Sequence, residues 1–280
     1  MRKTIAIVLL YILTEVFSSM IMLVVLSSFY QNDIEKMLFL PQTIVAGVIM
    51  GFYQLSIALF FFRVLSKYFL STDLFKNILT FRFADFIKGS FFAFLVLTLL
   101  SLTLFWSHFQ SFQILDITPR YLVLGFIATL VLVIKEEIVF RGFVLGYMEN
   151  KTRRYVAIIF SSVLFGAVHA FTKDFDFLSF IEITTSGLIL SILFYKKKNI
   201  WLPIGLHFGW NYFILFIYNT DEDMFSTPFL SGTKLVNSVW IDSAYLLLIM
   251  LICVVLFITN RKNIFISSVQ LNNLSDEQTR

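Results

Sequence analysis

Long uncharged stretches, each about as long as a bilayer crossing, constrain this 280-residue chain more than any other feature. A spanning helix needs about 20 mostly apolar residues. Runs of that kind lie at about 4–28, 42–62, 89–107, 121–147, 156–171, 177–195, 200–218 and 243–259, separated by clusters of charge. They predict an all-α polytopic transmembrane helical bundle of about eight spans. Composition agrees: 58% of residues are hydrophobic, 14% are charged and mean hydropathy is +0.84, against about 25% charged in a soluble domain. Thirty-five Phe beside 4 Pro and 11 Gly exclude a disordered or collagen-like polymer. The single cysteine, Cys253, lies in an apolar run, which excludes a disulfide framework or a cysteine-clustered metal site.

The net charge of +4 reads as topology, with no nucleic-acid partner needed. If the spans alternate from a cytoplasmic N-terminus, sixteen Lys and Arg fall on inner segments: Arg2, Lys3, Arg63, Lys67, Lys76, Arg82, Lys88, Lys151, Arg153, Arg154, Lys196, Lys197, Lys198, Arg261, Lys262 and Arg280. Only Lys36, Arg120, Lys173 and Lys234 fall outside. That bias predicts N-in, C-in. The start is expected to be an uncleaved first helix, since its apolar run is long and no small-residue cleavage site follows; the polar residues from Ser267 onward are expected to fray. Three regions are expected: N-terminal helices (1–120), a functional core (121–218), and a last helix with a cytoplasmic tail (219–280).

Ionisable residues inside the spans are few: Glu15, Lys135, Glu136, Glu137, Arg141, His169, Glu182 and His207. Four charges within seven residues of the fourth span would cost about 10 kcal/mol unpaired, at about 2.5–3.5 kcal/mol each. They must be buried in protein or line a wet cavity. Glu137 and Arg141 are four apart, the spacing of a helical ion pair, and serve as a clamp or in the chemistry itself. Glu136 points about 100° away from Glu137, and a desolvated carboxylate there suits a general base. His207 and Asn211 share one face of the seventh span.

These residues carry a resemblance. Glu136-Glu137-Ile138-Val139-Phe140-Arg141 resembles the E-E-x-x-x-R motif of the CPBP intramembrane proteases, the family of CAAX-processing endoproteases and bacteriocin-processing or immunity (Abi) proteins. Phe165 to His169 resembles the family's F-x-x-x-H, and His207 to Asn211 its H-x-x-x-N. The three motifs occur in order on separate spans, and the resemblance covers about 124–212. It implies that Glu136, helped by His169, activates the attacking water. It also implies that His207 and Asn211 stabilise the oxyanion, and that Glu137 and Arg141 organise the site. The family mechanism is glutamate-dependent and metal-free, so no cofactor is expected. Ligand type alone leaves zinc on Glu136, His169 and His207 as the alternative.

The function expected is thus hydrolysis of a peptide bond in a membrane-associated protein or peptide, in a bacterial plasma membrane as the Lys-, Ile-, Phe- and Asn-rich usage suggests. The alternative is a non-catalytic scaffold or bacteriocin-immunity protein that binds a membrane partner. A transporter would show broken helices in matching halves, and Pro41, Pro119, Pro203 and Pro228 have no such symmetry. The roles of Lys135, Glu15 and Glu182 stay open at this point.

Overall fold

The computed structural model describes residues 10, 11, 13, 14, 16, 17, 20, 24, 41–69, 78–108, 110–114, 119–149, 152–169, 176–219, 230–234 and 238–265. Most of the expected first span, including Glu15, and the tail lie outside the described residues, as do Arg2, Lys3, Lys36, Lys76, Lys151, Lys173, Pro228 and Arg280.

Seven of the expected spans coincide with helices. They are α1 (Pro41–Phe69), α2 (Phe83–Trp106), α3 (Pro119–Glu137), α4 (Arg154–Val168), α5 (Phe177–Lys197), α6 (Trp201–Tyr212) and α7 (Ser238–Phe265). Pro41 and Pro119 open α1 and α3, where a missing N–H costs nothing because the first-turn donors have no intrahelical partner. Asp176 caps α5 by accepting from Ser179 N–H at 2.7 Å. That bond holds its exposed carboxyl below the usual carboxylate range. The other end of α5 closes on Lys198 in the left-handed region (φ 51°). The buried Asn199 then joins three pieces of chain: its Oδ1 accepts from Trp201 N–H at 3.0 Å, and its Nδ2 donates to the Thr80 carbonyl at 2.9 Å.

The most extensive packing is between α2 and α6. Gly205 and Gly209 lie on the α6 face that meets Phe86, Ser90 and Ala93 of α2, and Ser90 Oγ donates to the Gly205 carbonyl at 3.0 Å. A Cβ on Gly205 would collide with the Phe86 carbonyl, and one on Gly209 would come within 2.8 Å of Ser90 Cα. Small residues one turn apart let two backbones approach where lipid supplies no hydrophobic drive between helices. Phe86, Ser90 and Phe94 meet Gly205, Gly209 and Phe213 in step, so α2 and α6 run parallel. Likewise α1 runs parallel to α3: Gly51 faces Val131, Gln54 bonds Lys135, and Phe62 faces Gly142.

Among the described residues three helices are long and apolar enough to cross a membrane, within Phe83–Trp106, Phe177–Lys197 and Ser243–Lys262. Gly47–Arg63, Arg154–Val168 and Trp201–Ile217 are shorter apolar helices. Apolar side chains such as Phe91 and Leu99 on α2, and Leu247, Leu251 and Ile258 on α7, are exposed outward, as a lipid-facing surface requires.

The bundle is helical, as expected, with one addition. Three short strands, β1 (Gln110–Ile114), β2 (Tyr218–Asn219) and β3 (Leu230–Lys234), form a sheet in the order β1-β3-β2, with β3 antiparallel to β1 and parallel to β2. The cause is tertiary. Because α2 and α6 are parallel neighbours, the segments leaving them emerge at the same end, where their backbone groups can pair.

Candidate active site

The fourth expected span departs from regular α-helix where its charges lie. α3 ends at Glu137, and the chain continues as a π-helical segment, Ile138–Leu145, before a last α turn, Gly146–Glu149. All eight residues of the π segment are buried. Such insertions widen the helix and disturb its backbone bonding; here Ser161 of α4 donates its hydroxyl to the Phe140 carbonyl at 3.1 Å.

Arg141 projects from this segment and is fully buried. Its Nη1 donates to Glu137 Oε1 at 2.9 Å, its Nη2 donates to the Gly187 carbonyl of α5 at 3.2 Å, and its guanidinium lies 4.6 Å from the centre of the Phe165 ring. The expected ion pair is thus present, and it ties α3 to α4 and α5. A charge buried this deeply is tolerable only when its partners replace water.

The same carboxylate oxygen reaches a third residue, seventy positions away. Glu137 Oε1 lies 2.9 Å from His207 Nδ1, which donates to it. On the other edge of that imidazole, Nε2 lies 3.7 Å from Glu136 Oε2. Helical spacing alone turned the two glutamates apart, but in the fold both meet one histidine, one at each ring nitrogen. His207 is placed there by α6: it sits between Gly205 and Gly209, two residues from each, so with that glycine face seated on α2 its side chain turns toward α3.

Beside this centre is a cavity of about 290 Å³. His169, His207 and Asn211 all line it, together with Glu182, Ser186 and mostly apolar side chains, among them Phe92 of α2 and Ile249 and Ile252 of α7. His169, at the C-terminal end of α4, uses Nδ1 on the Phe165 carbonyl at 2.8 Å. Glu136 is not one of the walls; it adjoins the cavity through His207. Three of the four expected catalytic side chains therefore share the cavity, and the fourth, Glu136, lies 3.7 Å from His207 Nε2.

Among the described residues no group of three or more His, Cys, Asp or Glu side chains is arranged to hold a metal ion. Glu136, His169 and His207 do not form such a group. Lys135, left open by sequence, donates to Gln54 Oε1 at 2.9 Å and links α3 to α1. Sequence spacing gave no role to Phe165 itself. Its ring lies under Arg141 and meets both His169 (centroids 4.8 Å apart) and His207 (5.8 Å) edge-on.

Fold and centre together define a multi-pass membrane protein whose buried carboxylate, guanidinium and imidazole groups border an internal cavity. Residues 118–213 match the family model described as type II CAAX prenyl endopeptidase Rce1-like. A Bacillus subtilis (strain 168) protein named "Putative membrane peptidase YdiL" is 33% identical over 102 residues, 36% of this chain and 40% of that relative. The chain thus spans about two fifths of the length of the curated relative it matches. No solved structure matches. Through this segment, roughly a third of its length, the chain is similar to the CAAX endopeptidase family.

Proposed function

We propose that this chain is an intramembrane endopeptidase, with eight spans in an N-in, C-in arrangement and residues 121–218 as its catalytic core. It cuts a peptide bond of a membrane-associated protein or peptide. The observation that carries the reading is His207, held between Glu137 and Glu136 and forming a wall of the cavity that His169 and Asn211 share.

Each group has work suited to its surroundings. Glu137 is already held by Arg141 and is the acceptor that fixes the His207 ring through Nδ1–H. With Nδ1–H given to Glu137, Nε2 donates as well when it too carries a proton. Glu136 takes a proton from water as the oxygen attacks the substrate carbonyl. Negative charge then leaves Glu136 and appears on the substrate oxygen, where His207 Nε2–H and the Asn211 amide donate to it. His169 Nε2 assists the proton's passage to the leaving amine, and the peptide C–N bond breaks. No step in this scheme passes through a metal.

Replacing Glu136 by Gln keeps shape and removes the base. Cleavage of a membrane-inserted peptide by purified protein in micelles is expected to fall about 10²–10⁴-fold, and His207→Ala is expected to abolish it. Unchanged cleavage by both variants, at equal amounts of folded protein, would refute the mechanism and favour a binding role.

A further inference from the structure

Both imidazoles of the proposed reaction, and the buried cation beside them, meet around one side chain to which the mechanism gives no work. Phe165 of α4 is 3% exposed. The Arg141 guanidinium lies over its ring face, 4.6 Å from the centre. The His169 and His207 rings stand at 64° and 85° to it, with centres 4.8 Å and 5.8 Å away. Phe140 of the π segment stands at 83°, 5.0 Å away. Gly187 of α5 lies so close that a Cβ there would come within 3.3 Å of Phe165 Cδ1, and the carbonyl of that same glycine accepts from Arg141. The ring is thus packed against the π segment, α5 and α6 at once, while the Phe165 carbonyl accepts from His169 Nδ1.

An aromatic ring carries negative charge over its faces and positive charge at its edge. A guanidinium over the face is attracted to it, most strongly where both are out of water, and Arg141 and Phe165 are both buried. Arg141 in turn holds Glu137, and Glu137 holds His207. We propose that Phe165 is a positioning residue: its ring face fixes Arg141, and through it the Glu137–His207 pair, while its contacts with both imidazoles set their planes. An aliphatic side chain of similar volume fills the same space but offers the cation no charged face. The inference rests on the endopeptidase reading for the duties of the two histidines; the hold on Arg141 stands apart from that reading.

The test changes the charge over the ring face and almost nothing else. Phe165 is replaced by mono-, di- and trifluorinated phenylalanine, which weaken the face step by step at nearly constant size. Peptide cleavage in nanodiscs is expected to fall with each fluorine, by about tenfold across the series, in kcat with KM little changed. Phe165→Leu is expected to fall at least as far. The same fluorination at Phe160, on the outward side of α4, is the control and is expected to leave cleavage unchanged. A kcat that stays flat along the Phe165 series and drops only with Phe165→Leu would make the ring a space-filler and overturn the proposal. Unfolding in micelles reads the contact without cleavage. Resistance is expected to fall stepwise with fluorination beside Arg141 and to stay flat in Arg141→Met protein. That pattern, without cleavage of any peptide by wild type, would sink the protease reading and keep the hold on Arg141; equal slopes in the two backgrounds, or no slope in either, would overturn that hold.

Discussion

At the scale of single residues, the centre depends on a guanidinium that touches no solvent. Arg141 holds Glu137 from one side while His207 holds the same oxygen from another, so removing Arg141 takes the charged partner from a fully buried carboxylate and leaves it to the imidazole. Breaking one partner of such a pair costs about 3–5 kcal/mol. Arg141→Met is therefore expected to lower unfolding resistance in micelles by about that amount, far more than Arg63→Met on the exposed side of α1. Glu137→Gln combined with Arg141→Met should cost less than the two changes added, because the stranded charge goes with its partner. A double variant as costly as the sum would show that the groups act independently.

At the scale of elements, α6 is a positioning device. Its two glycines accept the backbone of α2, and His207 is carried on the face they leave over. Gly205→Leu must push α6 away from α2, since the added carbon meets the Phe86 carbonyl and not a yielding side chain. We expect about 1–3 kcal/mol of destabilisation, the usual range for overpacking. Peptide cleavage should fall more than tenfold because His207 moves relative to Glu137. Gly47→Leu is the control, since nothing lies within 4 Å of a Cβ at Gly47. Equal effects at the two sites would show that close approach at Gly205 is not what seats the histidine. The π segment belongs to this scale too. Its sequence, IVFRGFVL, reads as ordinary apolar helix, and the widened turn lies where Arg141 bonds the Gly187 carbonyl of α5 and Ser161 of α4 bonds the Phe140 carbonyl.

Across the whole molecule, α1 pairs in parallel with α3 and α2 with α6, and the proposed topology of eight alternating spans would give each of these pairs a common direction. The proposed alternation would put Lys196 inside and the β3 strand outside. Single cysteines at Lys196 and Thr233, in a Cys253→Ala background, check the assignment with a membrane-impermeant maleimide on intact spheroplasts. Thr233→Cys is expected to react at once, and Lys196→Cys only after the membrane is opened; the reverse order would invert the topology.

Hydropathy alone located seven of the described helices, though several ends differ by six to ten residues, because the bilayer demands a certain length of apolar chain but does not fix where a helix stops. The motif residues were legible for a related reason. In a chain with so little charge, Glu136, Glu137 and Arg141 inside a span stand out, and the i, i+4 spacing of Glu137 and Arg141 already implied their pairing. What spacing could not supply was anything that crosses between helices. The contact of His207 with both glutamates, the cavity wall shared by His169, Asn211 and Glu182, the Phe165 ring under Arg141 and the small sheet all join residues far apart in the chain. Local periodicity reports which face a residue occupies, whereas the partner on the facing helix is set by how closely two backbones can approach. Here that approach is governed by Gly205 and Gly209 against α2, a contact that exists only once the bundle is assembled.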